Sequence, residues 1–150
     1  MKLFDFLFGK EKLSLEEGDK IHDEFYSKMS VLLSEESELT KKAIKLLTSG
    51  KHAESIELYK KLIEHYPAQI STYESQIGAN YYFLGEFEKA IKYYTSSMNN
   101  GFSTSMSDDN IWEAYLALFE KTKDKNYTVR YFQQFPQGNF YKEATKILNK

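Results

Sequence analysis

Residues that could perform acid–base or metal chemistry are few in this sequence and are poorly spaced for it. None of the three histidines, His22, His52 and His65, forms an i, i+4 pair with another metal ligand. Adjacent acids such as Glu16 and Glu17 point in different directions on a helix, so they do not form a catalytic carboxylate pair. The chain has no cysteine, no phosphate-binding glycine loop and no nucleophile elbow. We therefore expect no enzymatic activity, no cofactor and no metal.

Aromatic side chains offer the chemistry of recognition instead. They make up 16% of the sequence, with 12 Tyr and 11 Phe against one Trp. Near the C-terminus, Tyr127, Arg130, Tyr131 and Phe132 interleave basic and aromatic residues as single-strand nucleic-acid sites do. The same rings also suit the core of a helical hairpin, and a net charge of −2 lacks the basic footprint of a nucleic-acid-binding domain. We therefore expect a protein or peptide partner and no nucleic acid.

These aromatic residues belong to a helix–turn–helix pattern that occurs twice, 35 residues apart. The first copy contains Ala43, Leu46, Gly50, His52, Ser55, Ile56, Leu58, Tyr59 and Ile63. The matching positions of the second copy are Gly78, Tyr81, Gly85, Phe87, Ala90, Ile91, Tyr93, Tyr94 and Met98. Gly50 and Gly85 follow the apolar run of a first helix, where a left-handed residue ends a helix at little cost. Gly78 and Ala90 would let the two helices of a hairpin approach closely.

The pattern resembles the tetratricopeptide repeat, a 34-residue helical hairpin with small residues in both helices and an aromatic residue after the turn. The resemblance implies an all-α solenoid with repeats at 36–69 and 71–102 and a degenerate third repeat at 109–136. The first copy has His52 where an aromatic residue is usual and Ser55 where alanine is usual. Residues 14–150 are thus expected to form one domain, preceded by a short amphipathic segment at 1–13.

Helices are predicted at both ends of the array, as repeat proteins need capping elements. An N-terminal helix should run from a capping box at Ser14 to about Leu33, with Ile21, Phe25, Met29 and Leu32 packed on the first repeat. Residues 34–38 read as a polar break. A Ser-rich loop at 102–107 should precede a helix capped by Asp108 or Asp109. A final cap helix is expected at 139–149, after Pro136 and Gly138.

In the tetratricopeptide family the first helix of each hairpin lines a concave groove that takes a peptide or a helix. Carried over by position, the groove would be lined by Ile44, Leu47, Thr48, Ala79, Tyr82, Phe83, Trp112, Tyr115 and Phe119, with Thr40 and Ser75 beside them. The family's carboxylate clamp uses Lys and Asn in these helices, which this chain lacks there, so a carboxylate clamp is not expected. The resemblance implies a non-enzymatic interaction module, and the alternative is a small chaperone for an aggregation-prone client.

The first ten residues can form an amphipathic helix with Leu3, Phe4, Leu7 and Phe8 on one face. This face could fold back on the repeats, dock into another protein or rest on a membrane surface as the anchor of a peripheral adaptor. Asp5 interrupts its short apolar core and no cleavage site follows, which argues against a signal peptide. We therefore expect a cytoplasmic protein.

Charge is unevenly distributed along the chain. Residues 1–40 carry 5 Lys and 10 Asp or Glu, a net of −5, whereas residues 121–150 carry 7 Lys or Arg and 2 acids, a net of +5. Solvated helix faces explain this difference most simply. Head-to-tail self-association, or an acidic partner at the C-terminal end, is the alternative.

Overall fold

The computed structural model describes residues 15–150, and its regular structure in that range is helical throughout, which confirms the all-α expectation. The helices are α1 (Leu15–Thr48), α2 (His52–His65), α3 (Ile70–Phe83), α4 (Phe87–Asn99), α5 (Thr104–Thr122), α6 (Asn126–Gln134) and α7 (Tyr141–Leu148). A 3-10 turn, Pro67–Gln69, joins α2 to α3. The chain divides into two compact units between Ser37 and Glu38. No helix within residues 15–150 has both the length and the apolar character needed to cross a membrane.

Helix α1 is continuous through residues 34–38, so the predicted polar break is wrong. The segment contains only Ser and Glu. Glu is a good helix former and Ser costs a few tenths of a kcal/mol, roughly, so nothing there stops a helix as Gly or Pro does. Of the stripe predicted to be buried, Ile21 is half-buried, whereas Phe25, Met29 and Leu32 are exposed, Phe25 at 58%.

Within the second unit, the turns after α1 and α3 have the same backbone geometry. Gly50 and Gly85 take φ of +75° and +73°, as predicted for residues that end a helix in the left-handed region. The Lys51 amide donates to the Leu46 carbonyl at 2.9 Å, and the Glu86 amide donates to the Tyr81 carbonyl at 2.9 Å. The end of α1 with α2 forms the first hairpin, and α3 with α4 forms the second.

Successive helices of the second unit pack on one another around two hydrophobic clusters. The first cluster lies within the first hairpin and α3, and consists of Ala43, Ile56, Tyr59, Leu62, Tyr73 and Ile77. The second cluster joins α4 to α5, α6 and α7, and its largest members are Trp112, Tyr115, Tyr131, Phe135, Tyr94 and Ile111. The half-buried Tyr81 contacts both clusters, so the two cores meet at α3.

The third hairpin, α5 with α6, begins earlier than predicted. The Ser103 hydroxyl caps α5 by accepting a hydrogen bond from the Met106 amide at 3.3 Å, so most of the predicted Ser-rich loop is helical. Asp108 is buried and does not cap the helix. Its carboxylate accepts from the Tyr131 hydroxyl at 2.6 Å and from the Asn139 amide at 2.7 Å. The acid therefore fastens the segment after α6 to the start of α5.

Candidate functional site

The residues that end α1, α3 and α5 fix which side chains of these helices lie at equivalent positions. Gly50, Gly85 and Lys123 each have positive φ, and Lys123 at 61° is the non-glycine case among the described residues. The residues two, three and six positions before each of them are equivalent. Before Gly50 these are Thr48, Leu47 and Ile44. Before Gly85 they are Phe83, Tyr82 and Ala79, and before Lys123 they are Lys121, Glu120 and Ala117. Ten residues before them lie Thr40, Ser75 and Glu113. We call these twelve residues the first-helix face.

The apolar end of the first-helix face combines residues of the first two hairpins. Leu47, Thr48, Gly50, His52 and Phe83 line a shallow depression of about 390 Å³. The Phe83 ring is 63% exposed, and the His52 ring stacks on it with a centroid separation of 5.4 Å. Ile44 is exposed as well. Of the residues predicted to line the groove, Leu47, Thr48 and Phe83 therefore meet at one surface that contains an exposed aromatic ring.

Tyr82 continues this surface towards the third hairpin. Its ring makes edge contacts with Phe83, at 5.9 Å between centroids, and with Phe87, at 5.3 Å. Burial raises the pKa of the Tyr82 hydroxyl, and the charges of Glu113 and Glu120 raise it further. Tyr82 also packs against the second cluster, to which α5 contributes several residues.

Trp112 and Tyr115, predicted to line the groove, lie in the core. Both are 4% exposed, and Trp112 stacks on Phe140 at 5.5 Å and meets Tyr131 edge-on at 4.8 Å. Phe119 is half-buried. The prediction placed α5 in the wrong register, because no glycine marks the end of this helix. When α5 is aligned by Lys123, the groove positions that were predicted for Trp112, Tyr115 and Phe119 are instead occupied by Glu113, Ala117 and Glu120.

A buried polar network that the sequence does not single out lies beneath the depression. The Asn80 side-chain amide donates to the Ser55 hydroxyl at 3.1 Å and to the Gln76 carbonyl at 2.9 Å. The Ser55 hydroxyl donates to the Ala43 carbonyl at 2.9 Å. The Asn80 side-chain oxygen lies 3.1 Å from Nδ1 of His52. The network thus orients the imidazole that stacks on Phe83 and explains both departures of the first copy from the repeat pattern.

The basic and aromatic residues near the C-terminus are engaged within the fold. Arg130 pairs with Glu88 through two hydrogen bonds, at 2.7 and 3.0 Å, and lies over the rings of Tyr115 and Tyr127. Tyr131 is fully buried. Stacking a nucleic-acid base on these residues would require the hairpin interface to open.

The remaining sequence-based expectations concern the N-terminal face and metal binding. Leu3, Phe4, Leu7 and Phe8 lie outside the described residues. Among residues 15–150, no group of three or more His, Asp or Glu side chains is arranged to hold a metal ion. No protein-family model matches this sequence, and a comparison with curated proteins gives no match either.

Proposed function

We propose that this chain is a non-enzymatic, cytoplasmic interaction module of the tetratricopeptide type, whose first-helix face binds a peptide or a helix. Support for the repeat comes from the two turns of equal geometry at Gly50 and Gly85, which stand 35 residues apart like the sequence pattern itself. Support for binding comes from the surface that the first helices share. A solenoid of short hairpins places equivalent positions side by side, so a continuous ligand can contact several repeats at once.

The observation that carries the proposal is the exposure of Phe83. A large ring that is 63% exposed gains little from the fold, because it keeps most of its surface in water. His52 supports the ring from one side, and Leu47 forms the wall of the adjoining depression. Rigid aromatic anchors beside a pocket are the residues that contribute most to protein–protein affinity.

The test compares two exposed apolar residues. Phe83→Ala removes the ring from the first-helix face, and Met106→Ala removes a side chain of similar exposure, 55%, from the start of α5. Partners captured on the intact chain are identified by mass spectrometry, and the affinity of each purified partner is then measured by calorimetry. Loss of a central anchor costs 2 kcal/mol or more, so we expect Phe83→Ala to weaken binding by about 30-fold.

Met106→Ala should leave the affinity within about twofold, because scattered surface apolar residues contribute little. Circular dichroism and thermal unfolding of both variants confirm that the fold is intact. A partner that binds Phe83→Ala as tightly as the intact chain would contradict the proposal.

A further inference from the structure

Several exposed acids of the fold are paired with a cation, whereas the two carboxylates of the first-helix face, like Glu64 and Glu143, have no such partner among the described residues. Glu57 bonds Lys60 at 2.9 Å, Glu38 bonds Lys41 at 2.7 Å, and Glu88 binds Arg130. Glu113 and Glu120 are exposed and make no ion pair or hydrogen bond with any residue in the described part of the chain. Their charges are therefore available to a ligand on that face.

Both acids border the same aromatic side chain. They are seven residues apart on α5, two helical turns or about 10 Å along the axis. Each acts electrostatically on the half-buried Tyr82, and Glu113 also acts on Tyr94 of α4. Tyr82 also packs against the second cluster, to which α5 contributes Trp112 and Tyr115. An aromatic ring near two carboxylates suits a cation, because the ring's negative face and the carboxylates attract the same charge.

The opposite end of the face has a different character. Ile44, Leu47 and Phe83 are apolar, and the depression lined by Leu47 and Phe83 contains no acidic residue. The first-helix face therefore changes from uncharged in the first two hairpins to charged in the third, where the two acids Glu113 and Glu120 outnumber Lys121. A ligand that complements the whole face must carry apolar side chains at one part and positive charge at another.

On the basis of the proposed function, we propose that the partner segment is a basic amphipathic helix. Its apolar residues would fill the Phe83 depression, and its Lys or Arg side chains would lie between Glu113 and Glu120 over Tyr82. Apolar anchors at i, i+3 or i+4 and i+7 match a helix bound in a groove. Charges placed to oppose the two acids would set the register and the orientation of the bound helix.

The exposed stripe of α1 does not fit this description. Residues 15–38 carry eight Asp or Glu and two Lys, a net of −6. The same stripe on a second copy of the chain would bring further negative charge to Glu113 and Glu120, which is unfavourable. The occupant inferred here is therefore a basic helix from a different protein.

The test uses two labelled peptides of about five helical turns, with Leu at i, i+3, i+4 and i+7. The remaining positions are Lys in one peptide and Glu in the other. Fluorescence anisotropy with the full chain measures both affinities at low and at physiological salt. We expect the Lys peptide to bind at least about tenfold more tightly than the Glu peptide, with a difference that shrinks as salt increases.

The variant Glu113→Gln/Glu120→Gln removes the two charges and keeps the size of the side chains. Two exposed ion pairs contribute about 1 kcal/mol together, so the Lys peptide should bind about fivefold more weakly. Asp19→Asn/Glu24→Gln makes the same change of charge on exposed residues of α1 and should leave binding unchanged. Equal losses in both variants would mean that the Lys peptide senses only net charge, and the inference would fall.

The binding of the two peptides to Phe83→Ala distinguishes a basic partner from a binding face of any charge preference. If both peptides bind equally well and Phe83→Ala weakens both, the face is a binding site and the basic partner is wrong. If neither peptide binds, both proposals are contradicted. If Glu113→Gln/Glu120→Gln weakens the Lys peptide selectively and Phe83→Ala weakens it too, both proposals are supported.

Discussion

The first and second hairpins fill equivalent positions with different chemistry. In the second hairpin, Gly78 leaves space for the ring of Tyr94, and a Cβ at Gly78 would lie 2.7 Å from that ring. In the first hairpin, Ala43 stands at the position of Gly78, and its carbonyl accepts a hydrogen bond from Ser55, which in turn accepts one from Asn80 of α3. The same backbone turn therefore supports two ways of closing a hairpin, one by the volume of side chains and one by polar partners.

This difference shows which property each hairpin is sensitive to. A close-packed contact is destabilised by added volume, since a dense core has few voids to absorb an extra methyl group. A buried polar network is destabilised by the loss of a partner, since a donor or acceptor left without one keeps its desolvation cost. Substitutions at the two sites should therefore affect stability for different reasons.

The largest effect is expected for Asn80→Ala, which removes from α3 the hydrogen-bond partner of the first hairpin. Asn80 is fully buried, and its removal leaves a cavity and takes away the partner of Ser55 and His52. We expect the free energy of unfolding, measured with urea, to fall by about 3 kcal/mol. Asn99→Ala changes an exposed Asn at the end of α4 and should stay within about 0.5 kcal/mol. A loss below about 1 kcal/mol for Asn80→Ala would show that the network contributes little.

A smaller loss is expected for Gly78→Ala, which breaks the second hairpin. The new methyl group would press on a Tyr94 ring that is itself buried, so the ring cannot move aside freely. We expect a net loss of about 2 kcal/mol, in spite of the better helix propensity of Ala. Gly18→Ala is the matched control, because a Cβ at Gly18 meets nothing within 4 Å. That variant should gain helical stability, and a gain for Gly78→Ala as well would refute the packing argument.

The smallest effect on stability at neutral pH is expected for Tyr59→Phe, which compares equivalent tyrosines of the two hairpins. Tyr59 occupies the position of Tyr94 in the first hairpin, and its buried hydroxyl has no hydrogen-bond partner among the described residues. Deleting an unsatisfied hydroxyl removes a desolvation cost, so we expect the stability at pH 7 to be unchanged or about 1 kcal/mol higher.

The same variant tests a pH dependence. Burial raises the pKa of Tyr59 from its ordinary 10 to about 12, and the neighbouring Tyr73 adds to the shift. The unfolded chain therefore loses this proton before the folded chain does, and folding stability falls as pH rises from 10 towards 12. Urea unfolding at pH 8 and pH 11 should show a smaller decrease for Tyr59→Phe than for the intact chain. Equal decreases would assign the alkaline loss to the other buried tyrosines.

The sequence could predict the hairpins where a glycine marks the turn and could not where one is missing. Gly50 and Gly85 end their helices as expected, because few other residues take the left-handed conformation at low cost. Lys123 takes it without that signal, and the register of α5 was therefore misassigned. The polar residues 34–38 suggested a break, but a helix passes through Ser and Glu when no Gly or Pro interrupts it.

The Asn80 network could not be predicted from the sequence, for a different reason. Asn80 follows Ile77 by three residues, and both side chains are fully buried. A single Asn in a helix usually faces water, and its partners Ser55 and His52 are distant in sequence. Its helical phase, shared with a buried Ile, is the one signal that could have identified it.

The Asn80 network also decides which tautomer of His52 is presented at the surface. The amide nitrogen of Asn80 is used by Ser55 and the Gln76 carbonyl, so its oxygen faces the imidazole. An amide oxygen can only accept, and Nδ1 of His52 must therefore carry the proton. In the neutral ring, Nε2 is then an acceptor with a fixed orientation beside Phe83. Nitrogen NMR of His52 reads this tautomer directly, and a ligand on the face would meet a directional acceptor next to an apolar ring.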